Sequence, residues 1–223
     1  MARKIALWLI WISFIVYVFL AAPPVQADTF QPIQTLLSGQ IPRVNPIHLS
    51  IFSLVGILLL MYACLMLADG RMQKLSATAF LLASAGSGVI GLIPYLALRQ
   101  PNAEFTGQKD RWLKLFDARS TGILLTFSTL ILLAFAVIWG DWSSFVAEFR
   151  TNKFIHAMTL AVCLLALLFP TLLDDDMARR GLRNARIFWA VAIVPLFGPL
   201  AYLCSRPPLL EVKAPKVREL ISR

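Results

Sequence analysis

LSIFSLVGILLLMYACLMLA, residues 49–68, carries no charged side chain in 20 positions, and it runs through DGRMQK (69–74) into a second apolar stretch, LSATAFLLASAGSGVIGLIPYLAL (75–98). A helix rising 1.5 Å per residue needs about 20 apolar residues to cross a hydrocarbon core of ~30 Å. Neither stretch alternates as a barrel strand does, and neither has the polar stripe of a soluble amphipathic helix. The pair therefore predicts two membrane-crossing helices, antiparallel neighbours joined by a tight polar turn at Asp69–Lys74.

Three further blocks of the same kind follow, Thr121–Trp139, Phe154–Leu173 and Ile187–Cys204, and none of the five holds Asp, Glu, Lys or Arg. The whole chain is 58% hydrophobic and 15% charged, well below the charged quarter usual in soluble domains. The expected fold is all-α, a polytopic transmembrane bundle of about five spans after an N-terminal signal or anchor helix. Residues 1–27 open with Arg3 and Lys4, continue through an apolar centre from Ile5 to Ala22 and end Val25-Gln26-Ala27, a secretory signal pattern with a retained anchor as its alternative. A polar arm (28–48) leads into the helical domain (49–205), and a basic tail (206–223) ends the chain.

Two connecting segments read as helices lying on the membrane. Asp141 is placed to cap a start, after which Trp142, Phe145, Val146 and Phe149 fall at i, i+3, i+4 and i+7. Trp112, Leu113, Leu115 and Phe116 interleave with Lys and Arg in a similar way before the third span. Pro94, Pro170, Pro195 and Pro199 predict kinks. No fixed-period repeat shows across the blocks, and with five full crossings the Lys and Arg residues divide almost evenly between the two sides, so the signal pattern rather than the charge count places Asp28 outside and the C-terminus inside. The formal charge of +9 in loops and tail makes the anionic bilayer surface the first partner, with other membrane-protein subunits second and no nucleic-acid module present. Cys64, Cys163 and Cys204 sit in or at the end of apolar blocks without the spacing of a metal or disulfide motif.

Candidate chemistry is sparse. Charge-free spans lack the intramembrane carboxylates and bases that pumps use. No catalytic set, metal site or cofactor is expected. His156 lies about one turn inside the fourth span, where it would either hydrogen-bond a neighbour or ligate a haem or pigment. Asp174, Asp175, Asp176, Arg179 and Arg180 form a cluster that would hold a phosphate or a metal–phosphate pair, or else a solvated loop of internal ion pairs. Asp174 through Arg179 resembles part of the Asp-Gly-x-x-Ala-Arg signature of CDP-alcohol phosphotransferases, but Asp175 stands in the glycine position and no aspartate follows Asp176. Ser84, Gly86, Ser87, Gly88 and Gly91 make a small-residue face for close helix packing.

The run from Gly91 through Pro94-Tyr95 to Arg99, Phe188-Trp189, the stretch from Val194-Pro195 to Arg206-Pro207, Gly140-Asp141-Trp142 and Phe169-Pro170 together resemble an uncharacterised cyanobacterial and plastid family of small multi-spanning membrane proteins. The resemblance covers about residues 49–208 and implies a thylakoid or plasma membrane, with no activity attached. The function expected from these readings is a non-enzymatic accessory or assembly factor of an energy-converting membrane. The alternatives are an enzyme acting on lipid phosphate or diphosphate at Asp174–Arg186, or a passive small-solute transporter.

Overall fold

The computed structural model describes residues 1–27, 29–39 and 44–209. The basic tail from 210 on and part of the 28–48 arm lie outside the described residues. All described regular structure is helical, and four helical stretches are long and apolar enough to cross a membrane, beginning with α1 (Ala2–Leu20). A short helix α2 (Gln31–Leu37) follows, then α3 (Pro46–Asp69), which starts on an Asn45 cap and ends in a single tight turn at Gly70–Met72. The polytopic helical bundle expected from the hydropathy is the fold.

Two of the five expected crossings take a different form. Leu75–Leu98 is broken into α4 (Ala77–Ser87) and α5 (Val89–Leu98), with Gly88 between them at φ +58. Each has 11 residues or fewer, about 16 Å of helix and half a bilayer. They fold back on one another. A Cβ on Gly91 would sit 2.9 Å from the Ser84 backbone N, and at the open end Gln73 Nε2 donates to the Gln100 carbonyl (2.7 Å) while its Oε1 accepts from the Gln100 N–H (2.9 Å). The segment therefore enters and leaves from the same face as a re-entrant hairpin. Hydropathy cannot separate one crossing from two half-crossings of equal apolar length.

The second half of the chain repeats the plan. After α6 (Arg111–Asp117) come α7 (Arg119–Trp139) and α8 (Trp142–Thr151), the latter capped by Asp141, whose carboxylate accepts from the Ser144 N–H at 3.0 Å. That bond and the Ser143 hydroxyl hold the Asp141 carboxyl below the ordinary carboxylate value. α9 (Lys153–Leu168) continues, with a break at Phe169-Pro170, into α10 (Pro170–Arg179). Ile187–Cys204 is again a hairpin, α11 (Ala185–Ile193) and α12 (Phe197–Ser205). Gly198 lies so close to Val191 that an added Cβ would meet its Cα at 2.8 Å.

Residues 45–99 and 152–206, the central helix and hairpin of each half, correspond at an offset of 107. Asn45 and Asn152 cap the central helices, which begin at Pro46 and Lys153, and Gly91 and Gly198 sit at the two hairpin contacts. Tyr62 and Phe169 are equivalent positions, and their rings pack on each other at 5.6 Å. Like positions of two parallel units meet there, as in an isologous pair, so a pseudo-two-fold axis runs between α3 and α9. α1 covers the first hairpin and α7 the second. Trp11 Nε1 donates to the Ile90 carbonyl (2.9 Å), and Gly122 lies against the Leu203 backbone.

Candidate functional site

One end of the bundle holds Arg3, the bases of both hairpins, α6 and the start of α7; the other holds Asn45, α8 and the starts of α3 and α9. Nearly all the buried charge is at the hairpin-base end. Asp69, the last residue of α3, is fully buried. Its Oδ2 accepts from the Tyr95 hydroxyl (2.6 Å), on α5, and from Arg99 Nε (2.7 Å), just past its end. In the second unit Asp176 Oδ2 accepts from the Tyr202 hydroxyl (2.7 Å) and from Arg206 Nη1 (3.2 Å), both at the end of α12. Asp, then Tyr 26 positions on, then Arg 30 positions on: the spacing is the same in both. Each hairpin base is thus tied to the end of the long helix before it.

The consecutive pairs Asp175-Asp176 and Arg179-Arg180 stitch the units together, because successive residues on a helix point about 100° apart. Asp175 accepts from Arg99 and Arg179 donates to Asp69, both across the unit boundary. Asp176 and Arg180 stay in the second unit, where Arg180 also donates to Asp117 (2.6 Å) and to the Pro207 carbonyl (2.6 Å). Arg206 Nη1 reaches back to the Cys64 carbonyl of α3 at 3.3 Å. Burial alone would push the Asp117 carboxyl up, yet Arg180, Lys109 and the Leu209 N–H outweigh it and hold the group below the ordinary carboxylate value.

The Asp174–Arg180 stretch is accordingly a buried helix end, not a solvated loop, with Asp174 alone exposed. Asp175 and Arg179 are engaged with the first unit and Asp176 and Arg180 within the second, so the carboxylate oxygens face guanidinium groups. No group of three His, Cys, Asp or Glu side chains able to hold a metal ion occurs among the described residues. His156 is 9% exposed. Both of its ring nitrogens are occupied, one by the Phe149 carbonyl (2.8 Å) and one by the Tyr17 hydroxyl (2.9 Å), with the Phe149 ring stacked on it. In this arrangement no ring nitrogen is available to a haem or pigment metal.

The small-residue stripe builds the first hairpin. Ser84 is buried against Gly91, the Ser84 and Ser87 hydroxyls bond back to the Phe80 and Ala83 carbonyls (2.7 and 2.8 Å), and Gly88 makes the turn. Gly86 faces open space. It helps line an apolar groove of about 890 Å³ beneath the hairpin tip, walled also by Phe14, Phe52, Gly56, Leu60 and Ala157. Composition and short-range motifs single out neither Asp69, Tyr95 and Arg99 nor Asp117, Tyr202 and Arg206. The signal that finds them is the pair of Tyr-x-x-x-Arg sequences at the ends of the two returning helices, matched to an aspartate at equal distance.

No protein-family model matches the chain, and no solved structure matches it. Among curated proteins it is similar to a cobalt transport protein, CbiM, of Chlorobium limicola, at 28% identity over 116 residues. The similarity takes in 51% of this chain and 43% of the relative, so the chain matches under half of that protein's length.

Proposed function

We propose that this protein is the membrane-embedded part of a transport system for a small solute. The observation that carries the reading is the pair of half-membrane hairpins, with a groove of about 890 Å³ open beneath the tip of the first. Backbone that turns at mid-membrane depth has polar groups no lipid can satisfy. It is tolerated where it is packed in protein or lines a cavity, the setting in which transporters place their sites. The similarity to a cobalt transport protein supports transport over the assembly role that charge-free spans alone suggest. Groove walls of Phe, Leu, Ala and Gly favour a neutral or apolar solute, although the metal named in the relative is a candidate to be tried beside it.

Orientation follows once the hairpins are recognised. Of the 16 described Lys and Arg residues, all but Arg150 and Lys153 lie at the hairpin-base end. Cationic loops remain on the cytoplasmic side, so both hairpins enter from the cytoplasm, and α8 lies on the opposite face. The resemblance to the cyanobacterial family adds that the membrane is a thylakoid or a plasma membrane.

Stopped-flow light scattering on proteoliposomes tests the reading with a panel of small neutral solutes, alongside cobalt uptake on the same vesicles. At least one solute is expected to enter faster than into empty liposomes. Gly86→Leu, which fills open space without displacing backbone, is expected to abolish the difference. Vesicles indistinguishable from empty ones for every solute and for cobalt would sink the proposal.

A further inference from the structure

The structure assigns a second site, a phosphate-binding pocket at the cytoplasmic surface between α6, the start of α7 and the end of α12. It is separate from the solute groove and does not depend on it. A cavity of about 450 Å³ is walled by Lys109, Lys114, Asp117, Arg119, Arg206 and neighbouring backbone. Four cations face it against one carboxylate. The Asp117 oxygens are already committed, Oδ1 to Arg180 and Oδ2 to Lys109 and the Leu209 N–H. Lys114 and Arg119 are exposed and form no ion pair among the described residues.

Two further features place positive charge beside this space. α7 is 21 residues long and begins on Ala118, which offers no side-chain acceptor, so the first N–H groups of a long helix lie uncapped at the cavity edge. Arg206, 2% exposed, lines the same cavity and keeps a buried Nε for which no described group is an acceptor. A buried guanidinium N–H without a partner is costly, and a phosphate oxygen is the acceptor that also satisfies a helix N-terminus and two flanking cations. Because the pocket opens at the bilayer surface, the phosphate belongs to an anionic lipid headgroup or to a free phosphate ion.

The test is a thermal-shift titration of the full chain in phosphatidylcholine micelles, with phosphatidylglycerol in one arm and sodium phosphate in the other, against sodium chloride at equal ionic strength. Saturable stabilisation is expected in the phosphatidylglycerol arm. Lys114→Ala with Arg119→Ala is expected to weaken it by roughly 20-fold, two surface cations being lost. Lys74→Ala with Arg183→Ala removes the same charge from exposed positions outside the cavity and is expected to leave the midpoint within about twofold. If sodium phosphate also saturates, the pocket takes the phosphate group from either source; if only the lipid does, the headgroup is the ligand. No saturable response in either arm overturns the assignment, and so does equal weakening by the two double variants.

Discussion

In the first unit the returning helix contains Pro94, which has no N–H, so the Ile90 carbonyl loses its helical partner; the Trp11 indole, donated from α1, supplies the missing bond at 2.9 Å. In the second unit Pro199 deprives the Pro195 carbonyl in the same way, and there the rescue is local. The chain bends so sharply at Leu196 (φ +70, ψ −61) that the Phe197 N–H reaches Pro195 O at 2.9 Å. The tips are built differently, one through a neighbouring helix and one through a strained turn. The bases are built alike, from Asp, Tyr and Arg at equal spacing. Where the two units agree, the residues hold the hairpins to the long helices. Where they disagree, at the tips, the chain has room for a groove under one hairpin.

The agreement at the bases is the easiest part of this comparison to break. Asp69→Asn takes the anionic partner from buried Arg179 and one of two from Arg99, which keeps Asp175, and Asp176→Asn takes one from Arg180, which keeps Asp117, and the anionic partner from Arg206, which keeps two backbone carbonyls. Removing one partner of a buried ion pair costs about 3–5 kcal/mol. Both variants are expected to unfold far below the parent in detergent, with losses of similar size. A loss under about 1 kcal/mol for either one would mean that its cluster is wet and that the two bases are not equivalent.

The tips are sharpened by Trp11→Phe. The ring is retained and only the indole N–H disappears, leaving the Ile90 carbonyl unsatisfied at a cost of about 1–3 kcal/mol. The variant also asks whether α1 is part of the folded bundle, because Leu7, Phe14 and Tyr17 contact the core from the same helix. Thermal unfolding of purified Trp11→Phe beside the parent decides it. An unchanged midpoint would detach α1 from the first hairpin.

How much of this was legible in the residues follows from the range over which each signal acts. α3, α7 and α9 were readable because an apolar block of bilayer length is a local property, and α8 because an i, i+3, i+4, i+7 pattern behind an Asp cap spans only ten residues. The hairpins were not, since a hydropathy average over residues 75–98 is blind to direction; Gly88, Gly91 and Gly198 were visible, but as packing and kink signals. The buried clusters were least legible. Asp69 reads as a turn residue, and Asp174–Arg186 as a solvated loop or a phosphate site, because pairing partners 26 and 30 positions away, or in the other unit, leave no local trace. Comparing the chain with itself at half-length, rather than for short periods, would expose the duplication and put both hairpin bases at one end of the bundle.

The smallest expected effect concerns the turn at Leu196. A non-glycine residue at φ +70 is held in a sparsely populated conformation costing about 1–3 kcal/mol. Replacing it by Ala removes the side chain but keeps the Cβ that opposes this backbone, whereas replacing it by Gly removes both. Glycine is normally the less stable of the two, because it loses more chain entropy on folding. Here the order is expected to invert, with Leu196→Gly unfolding later than Leu196→Ala by about 1 kcal/mol. Gly88, at φ +58 with open space around its Cα, offers the same contrast, since Gly88→Ala is expected to lose about 1 kcal/mol through backbone conformation alone. If Leu196→Ala proves as stable as Leu196→Gly while Gly88→Ala still loses stability, the second tip relaxes out of its tight turn, and the difference between the hairpins is one of mobility rather than of strain.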